Sequence, residues 1–91
     1  MTDHTLSISS RVRFRAVGDD GVLVHLDSGR VVVVNGVGLF LVEQLQQPRT
    51  RADLSRAITD TFEVGAAQAE TDLAAYLDDL AAEDMLQQAA G

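Results

Sequence analysis

The stretch Val31-Val32-Val33-Val34-Asn35 decides how this chain of 91 residues is expected to fold. Four β-branched residues in a row favour a strand and resist a helix. A surface strand usually alternates apolar and polar side chains, whereas this one is apolar on both faces. Asn35-Gly36 ends the strand, and a helical pattern starts directly after it. The run therefore predicts the last strand of an N-terminal β region, and we expect it to be the place where the protein meets a partner.

A basic strand is predicted near the start of the chain. From Arg11 to Val17, arginines alternate strictly with apolar residues. This alternation is typical of a half-buried strand with one basic face. That face is either a solvated edge or a contact surface for an acidic partner, and the pattern alone leaves both open.

A second strand is predicted between two tight turns. Gly18 to Gly21 and Asp27 to Gly29 carry the Asp-Gly and Ser-Gly signals of short turns. Between them we expect Val22, Val24 and Leu26 to face inward and His25 to face solvent. Together with the valine strand, these segments predict an antiparallel meander of three strands.

Three helices are predicted to follow. Asn35 is suited to cap a helix that runs to about Gln46. Thr50 followed by Asp53 forms a capping-box pattern at the start of the second helix. The third helix is predicted over 66–84, where leucines recur at helical spacing.

These elements predict an α+β fold with a three-stranded antiparallel sheet followed by three helices (βββααα). A small sheet on three helices is similar to a winged helix-turn-helix. We expect a flexible N-terminal arm over 1–10, a folded domain over 11–86 and a frayed C-terminus over 87–91.

Residues suited to catalysis are missing from the sequence. It has no cysteine, no glycine-rich phosphate loop and no pair of histidines at metal-ligand spacing. Acid pairs such as Asp78-Asp79 are adjacent and point in different directions on a helix. An acyl carrier is disfavoured because the order Asp53-Leu54-Ser55 differs from the Asp-Ser-Leu attachment motif. We therefore expect no enzyme activity, no cofactor and no metal site.

Charge separates the two halves of the chain. Seven arginines and six acids fall at or before Arg56, and eight acids without any base follow it. A winged-helix DNA-binding regulator is the alternative function, but its recognition helix would carry Glu70, Asp72 and Asp78-Asp79 without a cation. No apolar run approaches the length of a membrane span. We expect a cytoplasmic protein that contacts neither nucleic acid nor membrane.

Peptide recognition fits the valine strand best. An edge strand offers backbone groups to a further strand. Either Val31 and Val33 or Val32 and Val34 serve the core, and the other pair needs a cover. The third helix beside this strand would form the far wall of a groove. The sequence equally allows helices to bury the valines on both faces.

The ordered pattern of short motifs resembles the PqqD-like family, the stand-alone form of the RiPP precursor-peptide recognition element. The similar features, in order, are the strand Val12–Val17, Asp20-Gly21-Val22-Leu23-Val24, Gly29, Val34-Asn35, Gly36-Val37-Gly38, Leu45, Arg49-Thr50, Leu54, Phe62-Glu63-Val64, Ala69-Glu70-Thr71-Asp72, Leu77, Leu80 and Met85-Leu86. The resemblance covers about residues 11–86. This sequence departs from the family in Val34 where Leu is usual, in the second glycine Gly38, and in an all-valine strand without an aromatic residue.

The resemblance implies a winged-helix fold without catalysis. It implies that the protein binds the leader of a ribosomally made precursor peptide by strand addition and presents it to a maturation enzyme, such as a radical-SAM protein or a leader peptidase. The pathway, pyrroloquinoline quinone, lasso peptide or another, stays open. The strand edge would be Arg30, Val31, Val32, Val33 and Val34; the groove would be lined by Leu73, Tyr76, Leu77 and Leu80, with Asp72 near it to meet a leader cation.

Overall fold

The computed structural model describes residues 4–90, and the side chains up to residue 88. In chain order its elements are β1 (His4–Ile8), β2 (Val12–Val17), β3 (Asp20–His25), β4 (Val31–Val34), α1 (Gly36–Gln44), α2 (Arg51–Thr61), α3 (Ala66–Ala82) and β5 (Leu86–Ala90). The predicted α+β class, with a three-stranded antiparallel sheet followed by three helices, is confirmed. Strands β1 and β5 were not predicted.

The main sheet has the order β2-β3-β4, with both pairs antiparallel. Gly18 and Gly29 adopt positive φ angles of 63° and 74° in the two turns, a conformation that glycine enters without a steric penalty. The meander is therefore confirmed, and it leaves β2 and β4 as the two edge strands of this sheet.

The inward face of β3 is the opposite of the one predicted. Leu23 is fully buried and Gly21 is buried, whereas Val22 and Val24 are only half-buried and Leu26 is 45% exposed. The reason is the packing of α1 on the sheet. A Cβ at Gly21 would stand 2.9 Å from the side chain of Leu39 on α1, so only the glycine face of this strand can approach the helix.

His25 lies on the same inward face and is 4% exposed, so the prediction that it faces solvent was wrong. Its Nδ1 accepts a hydrogen bond from the backbone N–H of Asp27 at 3.2 Å. Its Nε2 lies 3.8 Å from the carboxylate of Asp84. The ring is thus a satisfied core residue beneath the β3–β4 turn.

The two ends of the chain form a second sheet, in which β1 pairs antiparallel with β5. The N–H of Leu6 donates to the carbonyl of Arg49 at 2.7 Å, and Leu6 itself is 6% exposed. These contacts correct the expectation of a loose arm over 1–10 and a frayed end over 87–91. Residues 1–3 and 91, which belong to those two predictions, lie outside the described residues.

The helices begin where the sequence predicted. The side chain of Asn35 caps α1, and Thr50 with Asp53 forms a complete capping box on α2. Helix α1 ends at Gln44, two residues before the predicted end. Among residues 4–90, no helix is both long and apolar enough to cross a membrane. The core between sheet and helices consists of Leu6, Val12, Leu23, Val34, Leu39, Leu41, Val42, Leu45, Leu54, Ile58, Ala69, Leu73, Leu77, Leu80 and Met85.

Candidate functional site

Strand β4 offers a free backbone edge. The N–H of His25 donates to the carbonyl of Arg30 at 2.9 Å, so the backbone carbonyl of Arg30 points toward β3. Successive residues of a strand direct their backbone groups to opposite sides. The N–H and C=O groups of Val31 and Val33 therefore point away from β3, and within the described residues they meet no hydrogen-bond partner.

The valine side chains divide between the two faces of the sheet. Val34 is 8% exposed and Val32 packs against the core, so this pair faces inward. Val31 and Val33 are 59% and 67% exposed. Of the alternatives that the sequence left open, the structure selects a core face and an uncovered face rather than burial on both sides.

Helix α3 is tied by side-chain hydrogen bonds to the residues at both ends of β4. The hydroxyl of Tyr76 donates to Oδ1 of Asn35, directly after β4. At the other end, Nε and Nη2 of Arg30 donate to the Glu83 carboxylate at 2.7 and 2.8 Å. The space between these two bridges, with β4 on one side and α3 on the other, is called the β4–α3 groove below.

The α3 side of the groove is aromatic and acidic. Burial raises the pKa of the Tyr76 hydroxyl, the charges of Asp72 and Asp79 raise it further, and the hydrogen bond to Asn35 opposes them. The carboxylate of Asp72 accepts a hydrogen bond from Gln68 at 2.8 Å and is half-buried. Two carboxylates this close to a neutral phenol favour a cation or a hydrogen-bond donor on an incoming peptide.

Three of the predicted groove residues lie in the core instead. Leu73, Leu77 and Leu80 are 0%, 4% and 3% exposed. A helix with one apolar stripe turns that stripe to the core, so these leucines hold α3 on the core. Of the predicted residues on α3, Tyr76 contacts Asn35 at the end of β4, and Asp72 lies one helical turn before Tyr76.

Gly38 explains how α1, β4 and α3 meet so closely. Its N–H donates to Oδ1 of Asn35 at 3.1 Å, the same oxygen that accepts from Tyr76. A Cβ at Gly38 would stand 2.6 Å from Cβ of Val34 and 3.0 Å from the ring of Tyr76. The second glycine in this stretch, a departure from the family pattern, is therefore required by packing at the end of the groove.

The bridging roles of Asn35 and Glu83 were missed by the sequence analysis. Asn35 was interpreted only as the end of the valine strand and a helix cap, and no partner was predicted for Glu83. The signal for Glu83 is weak, because its partner Arg30 lies 53 residues away. Among the described residues, no group of three or more His, Cys, Asp or Glu side chains is placed to hold a metal ion.

Comparisons with known proteins agree with this arrangement. Residues 20–86 match the family model of coenzyme PQQ synthesis protein D (PqqD). A structure of TbiB1 in complex with the TbiA(beta) leader peptide is similar, with 27% identity, a TM-score of 0.80, and coverage of 89% of this chain and 94% of that chain. A lasso peptide synthetase B1 complexed with the leader peptide shares the fold at 23% identity, with a TM-score of 0.76 and coverage of 90% and 96%. A search of curated proteins found no match. Because the matched region spans most of the chain, this protein belongs to the PqqD family.

Proposed function

We propose that this protein is a non-catalytic peptide-binding protein that captures the leader segment of a ribosomally synthesised precursor peptide. It presents the leader to a maturation enzyme, such as a radical-SAM enzyme or a leader peptidase. The observation that carries this proposal is the free edge of β4, where Val31 and Val33 direct unpaired backbone groups past Tyr76 of α3. Such an edge binds an extended peptide as a further strand.

The similarity to TbiB1 supports this function, because that protein was solved with a leader peptide bound. The similarity extends over 89% of the present chain. The match to the PqqD family model covers residues 20–86, which include β4 and α3. Membership in the PqqD family supports the same role.

When the leader adds to β4 as a strand, its side chains alternate between two environments, the outward face of the sheet and the β4–α3 groove. Leader residues opposite Val31 and Val33 share the outward face of the sheet with those valines. Leader residues opposite Val32 point into the β4–α3 groove, toward Tyr76 and Asp72. The backbone groups of Val31 and Val33 supply the hydrogen bonds. The side chains that line the β4–α3 groove determine which leader side chains fit.

We also propose the finer features that the fold and family support. The sheet packed on α1 with the α2–α3 pair is of winged helix-turn-helix type, and the protein acts in the cytoplasm, where precursors are made by the ribosome. It contributes binding and orientation, and the partner enzyme contributes the chemistry.

DNA binding is disfavoured by the charge of α3. This helix carries Glu70, Asp72, Asp78 and Asp79 and no arginine or lysine. A phosphate backbone brought to this helix would meet carboxylates instead of the cations that supply most of the affinity for DNA. We expect no salt-sensitive gel shift with duplex DNA.

An NMR titration tests the proposal. ¹⁵N-labelled protein is titrated with a synthetic peptide of the N-terminal segment of a short precursor encoded beside its gene. We expect the largest shifts at Val31, Val33, Tyr76 and Asp72, together with slowed exchange of the Val31 and Val33 amides. A scrambled peptide of the same composition is the control. Shifts concentrated on β2 or on β1 and β5 would contradict the assignment to β4.

A further inference from the structure

A second surface, distinct from the groove, lies on the outward face of the main sheet. It is named the outer sheet face and consists of Arg13, Arg15, Val22, Val24, Val31 and Val33. The cross-strand register aligns these residues in two rows, Arg13–Val24–Val31 and Arg15–Val22–Val33. The three helices pack on the opposite side of the sheet, where Leu23 and Val34 are buried.

The valines of this face form a contiguous apolar patch in contact with water. Val31 and Val33 are 59% and 67% exposed, and neighbouring Val17 is 56% exposed. Val22 and Val24, directly opposite them, are half-buried. Isolated exposed valines are ordinary, whereas four adjacent ones bordered by charges are typical of an interaction surface.

Within residues 4–90, the arginines of this face have no acidic partner. In the same part of the chain, Arg11 pairs with Asp27 and Arg30 pairs with Glu83, each at less than 3 Å. Among these described residues, Arg13 donates only to the backbone carbonyls of Ser10 and Val12, and no carboxylate lies within ion-pair distance of Arg15. In a chain with net charge −7, two cations beside an apolar patch select for a partner with carboxylates.

Strand addition would extend this face by one strand. Leader residues that bond to Val31 and Val33 place their side chains on the same side as those valines. Each row would then continue from an arginine through two valines to a leader side chain. A protein seated on the outer sheet face would therefore touch the leader as well as the sheet.

We propose that the outer sheet face is the docking surface for the maturation enzyme, and that this enzyme presents an apolar patch flanked by Asp and Glu side chains. The inference rests on the proposed function, and it adds the surface at which the enzyme binds. Leader binding completes the surface, so the enzyme binds the complex more tightly than it binds the free protein. A second copy is a poorer occupant, since its own outer sheet face would bring cations against cations.

Charge reversal tests the proposal. The variant Arg13→Glu/Arg15→Glu is compared with Arg51→Glu/Arg56→Glu, which makes the same charge change on exposed positions of α2. The probe is the purified radical-SAM enzyme or leader peptidase encoded beside the gene. Its Kd is measured by biolayer interferometry with and without the precursor leader, and the Kd of the leader alone is measured for each protein.

We expect the outer-face variant to weaken enzyme binding by about tenfold or more, because close opposite charges across an interface become like charges. Its leader affinity should stay unchanged, and the α2 variant should keep both affinities. Unchanged enzyme binding in the outer-face variant, or wild-type protein that binds leader but no enzyme, would overturn the inference. A wild-type dimer that this variant dissociates would assign the face to a second copy. Enzyme binding without any leader binding would instead overturn the proposed function.

Discussion

The main sheet has two edge strands, β2 and β4, and they are protected to different degrees. On β2, the N–H of Val12 donates to Ser9 at 3.0 Å, and the guanidinium of Arg13 donates to the carbonyl of Val12 at 3.2 Å. On β4, the outward backbone groups of Val31 and Val33 meet no partner within the described residues, and the strand carries no charge. One sheet thus has a partly covered, basic edge and an open, apolar edge.

The difference predicts which edge would accept a further strand. Charged side chains and local hydrogen bonds on an edge strand discourage pairing with another chain. An uncharged β-branched edge invites it and is a hazard for aggregation unless access is limited. Helix α3 stands at this edge, since its side chains are bridged to Asn35 and Arg30 at the two ends of β4.

The largest expected effect comes from removing one outward N–H of β4. Proline at position 33 deletes a donor that points away from β3, so the ladder to β3 stays intact and the protein still folds. The leader loses a hydrogen bond and keeps an unsatisfied carbonyl, which costs about 1–3 kcal/mol, or roughly ten- to hundredfold in affinity. Isothermal titration of Val33→Pro with the leader peptide measures this loss.

Two control variants sharpen the comparison of the edges. Val33→Thr keeps the N–H and a β-branched side chain, and should bind the leader as the wild type does. Ala16→Pro removes an outward N–H from β2, and should leave leader binding unchanged because β2 is not the site. Equal losses in Ala16→Pro and Val33→Pro would mean that both edges, or neither, receive the leader.

The next largest effect is predicted at Gly38, at the Asn35 end of the groove. In Gly38→Ala the new methyl group would stand 2.6 Å from Cβ of Val34 and 3.0 Å from the ring of Tyr76. Overpacking of this kind costs about 1–3 kcal/mol, more than the roughly 1 kcal/mol that alanine gains over glycine in a helix. We expect Tm to fall by about 4–8 °C for each kcal/mol lost, as measured by thermal circular dichroism.

Gly36→Ala is the matched control for Gly38→Ala. A Cβ at Gly36 meets only the carbonyl of Asp19 at 3.4 Å, an ordinary contact. This variant should keep the wild-type Tm or raise it slightly, since alanine is favoured over glycine in a helix, and it should keep the wild-type leader affinity. If Gly38→Ala is as stable as Gly36→Ala, the close packing of α1 on Val34 and Tyr76 would be refuted.

The sequence was sufficient to predict the strands of the main sheet and the three helices. It was not sufficient to predict which face of β3 points to the core. Three consecutive apolar residues, Val22 to Val24, fit either phase of a two-residue alternation. The face of β3 that points to the core is set by Gly21, because the missing side chain leaves room for Leu39 of α1. That contact joins two elements, so no pattern within the strand reveals it.

The same limit explains the terminal sheet and the buried leucines. Strand β1 has only Leu6 and Ile8 as large apolar residues, and its partner β5 lies at the other end of the chain. Pairing over such a distance leaves little local signal. Leucines at helical spacing in α3 predict an apolar stripe correctly, but the spacing does not say whether the stripe faces the core or a groove.

A smaller effect is predicted for Tyr76→Phe, which removes the hydroxyl that donates to Asn35. A neutral hydrogen bond contributes about 0.5–1.5 kcal/mol, so leader affinity should fall by roughly two- to tenfold through a looser groove end. Asn35→Asp, which keeps an acceptor for the hydroxyl and a cap for α1, is the control. An unchanged Kd for Tyr76→Phe in fluorescence anisotropy with labelled leader would show that this bridge does not shape the site.

The smallest effect is expected for Glu83→Gln, at the Arg30 end of the groove. The hydrogen bonds from Arg30 lower the pKa of the Glu83 carboxyl; burial opposes them, and the charge of Arg30 adds to the lowering. A carboxyl with a lowered pKa stabilises the folded chain above its unfolded pKa, and this contribution is lost as the pH falls through the folded value. Arg30 is exposed and Glu83 is only half-buried, so the effect on Tm at pH 7 should be small.

The pH dependence of Tm distinguishes the loss of this ion pair from other effects of the Glu83→Gln substitution. The difference in Tm between wild type and Glu83→Gln should shrink as the pH falls below about 4 and vanish once Glu83 is protonated in the folded chain. Glu70→Gln, on an exposed part of α3, should show no such trend. A Tm difference that persists at low pH would mean that Glu83 acts by packing, and the β4 edge would then be held to α3 by the Asn35–Tyr76 bridge alone.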